Sequence, residues 1–452
     1  MSRTQRLDVA AGLACILVTL GVLGCASRPG PRPTAAAETA ALAERTFSAV
    51  LFPYIPDSGG DSFASLIATL ESWFEAANPE IDLEITIDPN MDLYSFSTLA
   101  TLLGTGAGSV NMVEIDTLLL GDLVAQSIVQ PLPFPVDGLG LLPTALAAAE
   151  VDSTSYGVPT YLCGNYIYSW DAGIGGVDSG QDLIDFLTQH PDPGATPLIG
   201  NFEGSWTLPS LYVDAWADSH TNDPTQVATA YDLPLDQATM DIFSLVVDLC
   251  GVNGGPCLDG TYADNTVAET LFAQNQANGF VGFSERLFYI LQARGGDVNL
   301  PFVISAPLGV GSNPVMFVDA LVLNPVCTGQ CATDAETFSN FMSSLQVRVL
   351  IAFSDDVSPK TFPRYLLQAL ASFYTTAPGS QNLVYQQLAP FVLASQAFPN
   401  QGFPEARLQL NPALEGALGA GEARAVASSG GESGVGVELL HAPARDSRAA
   451  IR

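Results

Sequence analysis

Basic residues and histidine are scarce in this chain. Its 452 residues carry 15 Lys plus Arg against 47 Asp plus Glu, a formal net charge of -32, and 3 histidines. A field of that sign repels phosphate backbones and anionic headgroups, which excludes nucleic acid as a partner and favours cationic or neutral ligands. Neither His190 nor His220 stands in a recognisable triad context, and His441 is remote from both, so a serine hydrolase is short of its base. Cys-x-x-Cys spacing is missing too, and the histidines are scattered, so no metal is expected. No internal repeat is evident. Charged residues are 14% and hydrophobic ones 48%, the balance of a chain that folds. The length exceeds what one compact core accommodates, so two domains are expected.

The first residues read as a targeting signal. Arg3 and Arg6 precede an apolar stretch from Val9 to Gly24, which is short for a membrane span and ends in small residues. Val22-Leu23-Gly24-Cys25 resembles the lipobox of bacterial lipoproteins, which implies a lipid on Cys25; cleavage near Ala26 is the alternative. Residues 1–24 are then a signal peptide and 25–45, rich in Pro, Ala and Arg, a tether. The expected location is the cell envelope or periplasm, with the membrane reached only through the anchor.

Seven cysteines occur. Cys15 leaves with the signal and Cys25 takes the lipid. Cys250 and Cys257 bracket a turn-rich segment, and Cys327 and Cys331 bracket Thr-Gly-Gln. Both pairs are close enough to close small loops as disulfides in an oxidising compartment. Cys163 is left over, either as a buried inert thiol or as a reactive one.

Along the body, strand-like and helix-like segments alternate. An apolar run from Phe47 ends in prolines. Phe63, Leu66, Ile67, Leu70, Trp73, Phe74 and Ala77 share a helix face, and Ile81 to Ile87 reads as a strand. Leu93 to Leu103 reads as a helix, Ser109 to Ile115 as a strand, and Leu118 to Val124 as a helix. Such alternation implies a mostly parallel sheet covered on both faces, with ligands beyond the carboxyl ends of its strands. Tyr54 and Asp116 fall at such ends, where an ordinary turn or cap role is the alternative. An aromatic, strand-like segment from Ser155 to Trp170 follows. Helices are expected at Asp182 to Gln189, Leu208 to Ser219, Gln237 to Leu249 and Thr266 to Gln276. A strand from Gly279 turns into a helix at Ser284. Strands at Phe302 to Pro307 and Val315 to Leu323 and helices at Asp334 to Leu345 and Pro359 to Tyr374 complete the body. One lobe comprises 46–158 and 300–414, the other 159–299, and 415–452 reads as a disordered tail.

This order, with a crossover near Tyr156-Gly-Val-Pro, resembles the type II periplasmic solute-binding proteins, which implies an α/β, two-lobe fold with a cleft between the lobes. Cys163 in Val158-Pro-Thr-Tyr-Leu-Cys-Gly-Asn and Glu285 in Gly282-Phe-Ser-Glu-Arg-Leu look like the nucleophile and base of the thiaminase I family, the thiamine pyridinylases, built on that fold. The resemblance implies that Asp116 and Asp319 hold the aminopyrimidine of thiamine and that Tyr54 stacks on it. Phe317 stands where a tyrosine is expected, and Tyr262 is a further, looser match. It implies no cofactor, a nucleophilic co-substrate beside thiamine, and a monomer. For Glu285 the alternative is a first-turn glutamate behind a Ser284 cap. The alternative for the whole chain is a substrate-binding lipoprotein of an ABC transporter, with Cys163 a buried spectator. A thiol among so many carboxylates has its pKa raised, so as a nucleophile it needs a base within reach.

Overall fold

The computed structural model describes residues 45–189, 195–220, 224–295, 299–359 and 361–419. The expected signal peptide, Cys25 and nearly all of the tether lie outside the described residues, as do His190, His441 and the chain from residue 420.

Strands β1 (Arg45–Val50), β2 (Ile81–Thr86) and β3 (Met112–Asp116) run parallel to one another, with β1 in the middle. The helix Ala64–Ala77 between β1 and β2 buries Leu66, Leu70 and Phe74, four residues apart along one stripe. Each contributes about 2 kcal/mol of apolar burial. A short hairpin of β4 (Glu150–Val151) and β5 (Thr154–Ser155) leads into β6 (Gly157–Cys163), which is buried along its whole length.

β7 (Tyr166–Ser169), β8 (Thr196–Ile199), β9 (Ala277–Gly282) and β10 (Phe302–Ser305) form a separate sheet in the order β10-β7-β9-β8. The chain then returns through β11 (Val315–Leu323), which runs antiparallel between β3 and β6. β12 (Leu367–Gln368) pairs with β6 and β13 (Gln396–Ala397) with β11, completing the order β12-β6-β11-β3-β1-β2. The aromatic segment read as one strand is therefore two, one in each sheet. The chain passes between the sheets at Gly164-Asn165, later than the 158/159 boundary expected from sequence. β10, assigned by sequence to the returning lobe, still pairs with β7 in the smaller sheet.

Both passages are held by the helix Thr207–His220. Asn165 donates to Asp214 at 2.9 Å, and Ala306 N–H donates to the Asn165 carbonyl at 2.9 Å. Asp218 accepts from Leu308 N–H at 2.7 Å and from Gly309 N–H at 3.3 Å. A Cβ at Gly164 would lie 2.7 Å from Met316 Sδ, so the first passage packs closely on β11.

The expected helix from Pro359 to Tyr374 is overturned. Residues 361–366 carry no helix, β12 follows, and the helix is confined to Ala371–Thr375. Pro363 restricts the residue before it, and buried Arg364 draws the segment inward by donating to Asp356 at 2.7 Å and to the Pro56 carbonyl at 2.8 Å. Helices at Leu345–Ala352, Leu383–Ala394 and Phe403–Ala417 were not expected, and the last carries order two residues past Glu415, where the tail was to begin. Among the described residues no helix is long and apolar enough to cross a membrane.

Candidate active site

The site forms where the carboxyl ends of β3 and β6 face the smaller sheet. Pairing places Asp319 of β11 directly opposite Asp116 on one side, and Phe317 opposite Cys163 on the other. Opposed residues in an antiparallel pair project to one face about 5 Å apart, so one strand-end surface presents two carboxyls, a thiol and a phenyl ring. All four are buried.

Cys163 is the free cysteine among the described residues; Cys250 is joined to Cys257 and Cys327 to Cys331. Its Sγ lies 4.0 Å from Glu285 Oε2, although the residues are 122 positions apart. Glu285 stands on the turn between β9 and the helix Arg286–Ala293. That turn is tied to the smaller sheet by Tyr168, whose hydroxyl donates to the Phe283 carbonyl at 2.9 Å. The alternative of a Ser284 cap does not hold: Glu285 occupies the cap position, no side chain caps the helix, and buried Ser284 Oγ takes no hydrogen bond. Burial, then the charges of Glu285, Asp319 and Asp116, push the Cys163 thiol well up, with Arg286 opposing. The thiol at rest is protonated. Burial also raises Glu285, opposed chiefly by the Arg286 guanidinium, whose Nε lies 3.5 Å from Glu285 Oε1. Arg286 reaches Glu269 as well, with Nη1 3.4 Å from Oε1.

Asp116 accepts from Leu118 N–H at 3.0 Å and from the Tyr94 hydroxyl at 3.0 Å. It therefore does cap the turn that follows β3, as the alternative reading had it, while its carboxyl stays in the site. Burial pushes it up to about 7, and the two hydrogen bonds temper the rise. Asp319 goes well above the carboxylate range through burial, then through Asp116, Glu114 and Glu285. Opposed across the ladder and both raised by burial, these two carboxyls resist ionising together.

Tyr54 donates to the Met91 carbonyl at 3.2 Å and stacks on Tyr94, ring centroids 6.0 Å apart. Tyr94 in turn meets Trp206, which leads into the helix Thr207–His220, at 5.1 Å, and so links the two sides of the site. Phe317 stacks on Phe398 at 4.4 Å and meets Phe283 edge-on at 6.2 Å. Tyr262 lies in the turn before the helix Asn265–Ala273, and among the described hydrogen bonds and ring contacts none joins it to Cys163. His220 packs on Trp216, with Nε2 3.5 Å from Asp236, away from any nucleophile. No group of His, Cys, Asp and Glu among the described residues could hold a metal ion.

Sequence reasoning passed over Tyr94, Trp206, Glu114 and Glu269. Glu114 was open to discovery: it is an acidic residue in the middle of a strand buried at every position, and it accepts from Phe52 N–H at 2.8 Å. Tyr94 follows the carboxyl end of β2, the same signal that singled out Asp116.

No protein-family model matches the chain. Thiaminase-1 of Paenibacillus thiaminolyticus is 27% identical to it over 275 residues, 57% of this chain and 61% of that protein. The match thus spans less than two thirds of that relative's length. Clostridium botulinum thiaminase I, solved in complex with thiamin, superposes with a TM-score of 0.64 at 17% identity, covering 83% of this chain and 99% of that one. The GacH receptor of Streptomyces glaucescens, solved unliganded and with acarbose, gives 0.59 at 18% identity, covering 86% and 100%. The chain is similar to thiaminase I in sequence, and its fold is the α/β, two-lobe fold of the type II periplasmic binding proteins.

Proposed function

We propose that the protein is a thiamine pyridinylase, transferring the pyrimidine-methyl group of thiamine from thiazole to a nucleophilic base through a covalent bond to Cys163. The observation that carries this is the 4.0 Å approach of the buried Cys163 thiol to Glu285 Oε2, beside two buried carboxyls opposed across β3 and β11. Glu285 takes the thiol proton, and the thiolate adds to the electron-poor pyrimidine ring. The bond from the exocyclic methylene to the thiazolium nitrogen breaks, and its electron pair leaves with neutral thiazole. The second nucleophile bonds to the methylene, the carbon–sulfur bond breaks, and the thiolate is restored. Splitting the displacement this way replaces one hard step by two easier ones.

The aminopyrimidine edge offers a ring nitrogen that accepts and an amino group that donates. A carboxyl pair sharing a proton answers both, which supports Asp116 and Asp319 as its partners. Tyr54, Tyr94 and Phe317 supply apolar faces for the ring, and the acidic surroundings favour the thiazolium charge. In wild type, thiamine and an added base such as pyridine should yield free thiazole, with a pyrimidine adduct on Cys163 detectable by mass spectrometry, and Cys163→Ser should stop the release. No turnover by wild type sinks the proposal; turnover surviving in the mutant sinks the role of Cys163.

The fold shared with the GacH receptor supports a second reading, a substrate-binding lipoprotein serving an ABC transporter. It requires thiamine or another small ligand to bind and dissociate unchanged. The segment ending in Leu23-Gly24-Cys25 supports export and lipid anchoring in either case. Full-length protein should partition into the membrane fraction, and Cys25→Ser should release it; unchanged partitioning of the mutant rules the anchor out.

A further inference from the structure

Beyond the thiol and its base lies a second buried carboxylate that the reaction above does not use. Glu269, on the helix Asn265–Ala273, and Arg286, at the start of the next helix, are both buried. The Arg286 guanidinium stands between two carboxylates, 3.4 Å from Glu269 Oε1 and 3.5 Å from Glu285 Oε1. The other oxygen of Glu285, Oε2, is the one 4.0 Å from Cys163 Sγ. Each Glu285 oxygen thus has its own neighbour, the thiol on one side and the guanidinium on the other. We propose that Glu269 and Arg286 are positioning residues that aim Glu285 at the Cys163 thiol and set how readily it takes the proton.

The roles of the two are opposed. Facing Arg286 alone, Glu285 would be held firmly as the carboxylate and would be a poor acceptor of the thiol proton. With no Arg286, two buried carboxylates would face each other and Glu285 would keep its own proton. Sharing one guanidinium between two acids leaves Glu285 between these extremes, where a general base is most effective. The other titratable groups facing Glu285 are Asp319 from β11, Tyr168 from β7, Tyr289 from its own helix and Cys163 itself. None of these is a cation, so among the described groups facing Glu285 the positive charge comes from Arg286.

The role rests on Glu285 acting as the base for Cys163, and its test is read without turnover. The infrared band of the protonated Glu285 carboxyl, recognised by its loss in Glu285→Gln, is followed against pH in the purified full chain. Glu269→Gln keeps the side-chain shape and an acceptor oxygen for Arg286 but removes the charge. It should lower the pH midpoint of that band by about one unit, and Arg286→Gln should raise it by a similar amount. The acid limb of kcat/KM for thiazole release should move with the band. A midpoint unmoved in Glu269→Gln, or moved in the same direction by both variants, overturns the proposal. A band that shifts as expected in a protein that releases no thiazole overturns the thiaminase assignment instead and leaves the positioning intact.

Discussion

The two sides of the site hold carboxyls under opposite conditions. On the larger sheet Asp116 and Asp319 face each other across β3 and β11, with Glu114 nearby and no cation among the groups that lower either one. On the smaller sheet's side Glu285 and Glu269 are as deeply buried but divide Arg286 between them. Both pairs are pushed upward by burial; only the second has a positive charge pulling back. The first pair therefore stores protons and suits a ring edge that needs a donor beside an acceptor. In the second pair Glu269 is also pushed up to about 7, but Arg286 opposes the rise of both acids, a setting that suits the proposed proton abstraction by Glu285. Equal burial thus gives two electrostatic settings, and the single guanidinium distinguishes them.

The sharpest way to break this comparison is at the base. Glu285→Gln removes the group proposed to take the thiol proton and should lower kcat/KM for thiazole release by about 100- to 10,000-fold. A loss below about tenfold would mean that the larger-sheet acids can do the same work, and that the two sides are not distinct. A smaller effect comes from the proton store. Asp116, Asp214 and Glu269 are each pushed up to about 7, so the folded protein holds protons that the unfolded chain releases above the ordinary carboxylate range. Stability should then be greatest near pH 4 to 5 and fall as pH rises to 7, by about 1.4 kcal/mol per pH unit for each proton held by the fold alone. Asp116→Asn removes one of these protons and the neighbour that raises Asp319, so its Tm should vary less with pH than that of wild type. Thermal unfolding at several pH values checks the sign, and a wild-type Tm that rises from pH 5 to 7 would contradict the stored protons.

Much of the first half of the fold was legible because its signals are local. Leu66, Leu70 and Phe74 mark a helix stripe, and Ile81 to Thr86 alternates buried and exposed residues at every position. Asp116 was found because a strand end leaves few places for an acidic residue to point. The second half hides its helices behind proline: Pro390 lies inside Leu383–Ala394 and Pro412 inside Phe403–Ala417, where a local rule reads a stop. Between Pro359 and Tyr374 the error ran the other way, because what fixes that segment is Arg364 bonding to Asp356 and to the distant Pro56, a contact with no local trace. Cys163 and Glu285 were singled out through resemblance and cysteine arithmetic, not periodicity. Glu269 could not be singled out, since a helix glutamate reads as a solvated one until the fold shows Arg286 beside it.

The cysteine pattern carries a consequence for maturation in an oxidising compartment. The two bonded pairs are separated by seven and four residues, so each closes a small loop at little entropic cost and with few competitors. Cys163 is remote from all four in sequence and ends up on a strand buried along its whole length. Once those four have paired with one another, no free cysteine remains for it among the described residues. In such a compartment, pairing of the four would leave Cys163 as the reduced thiol, shielded by its burial.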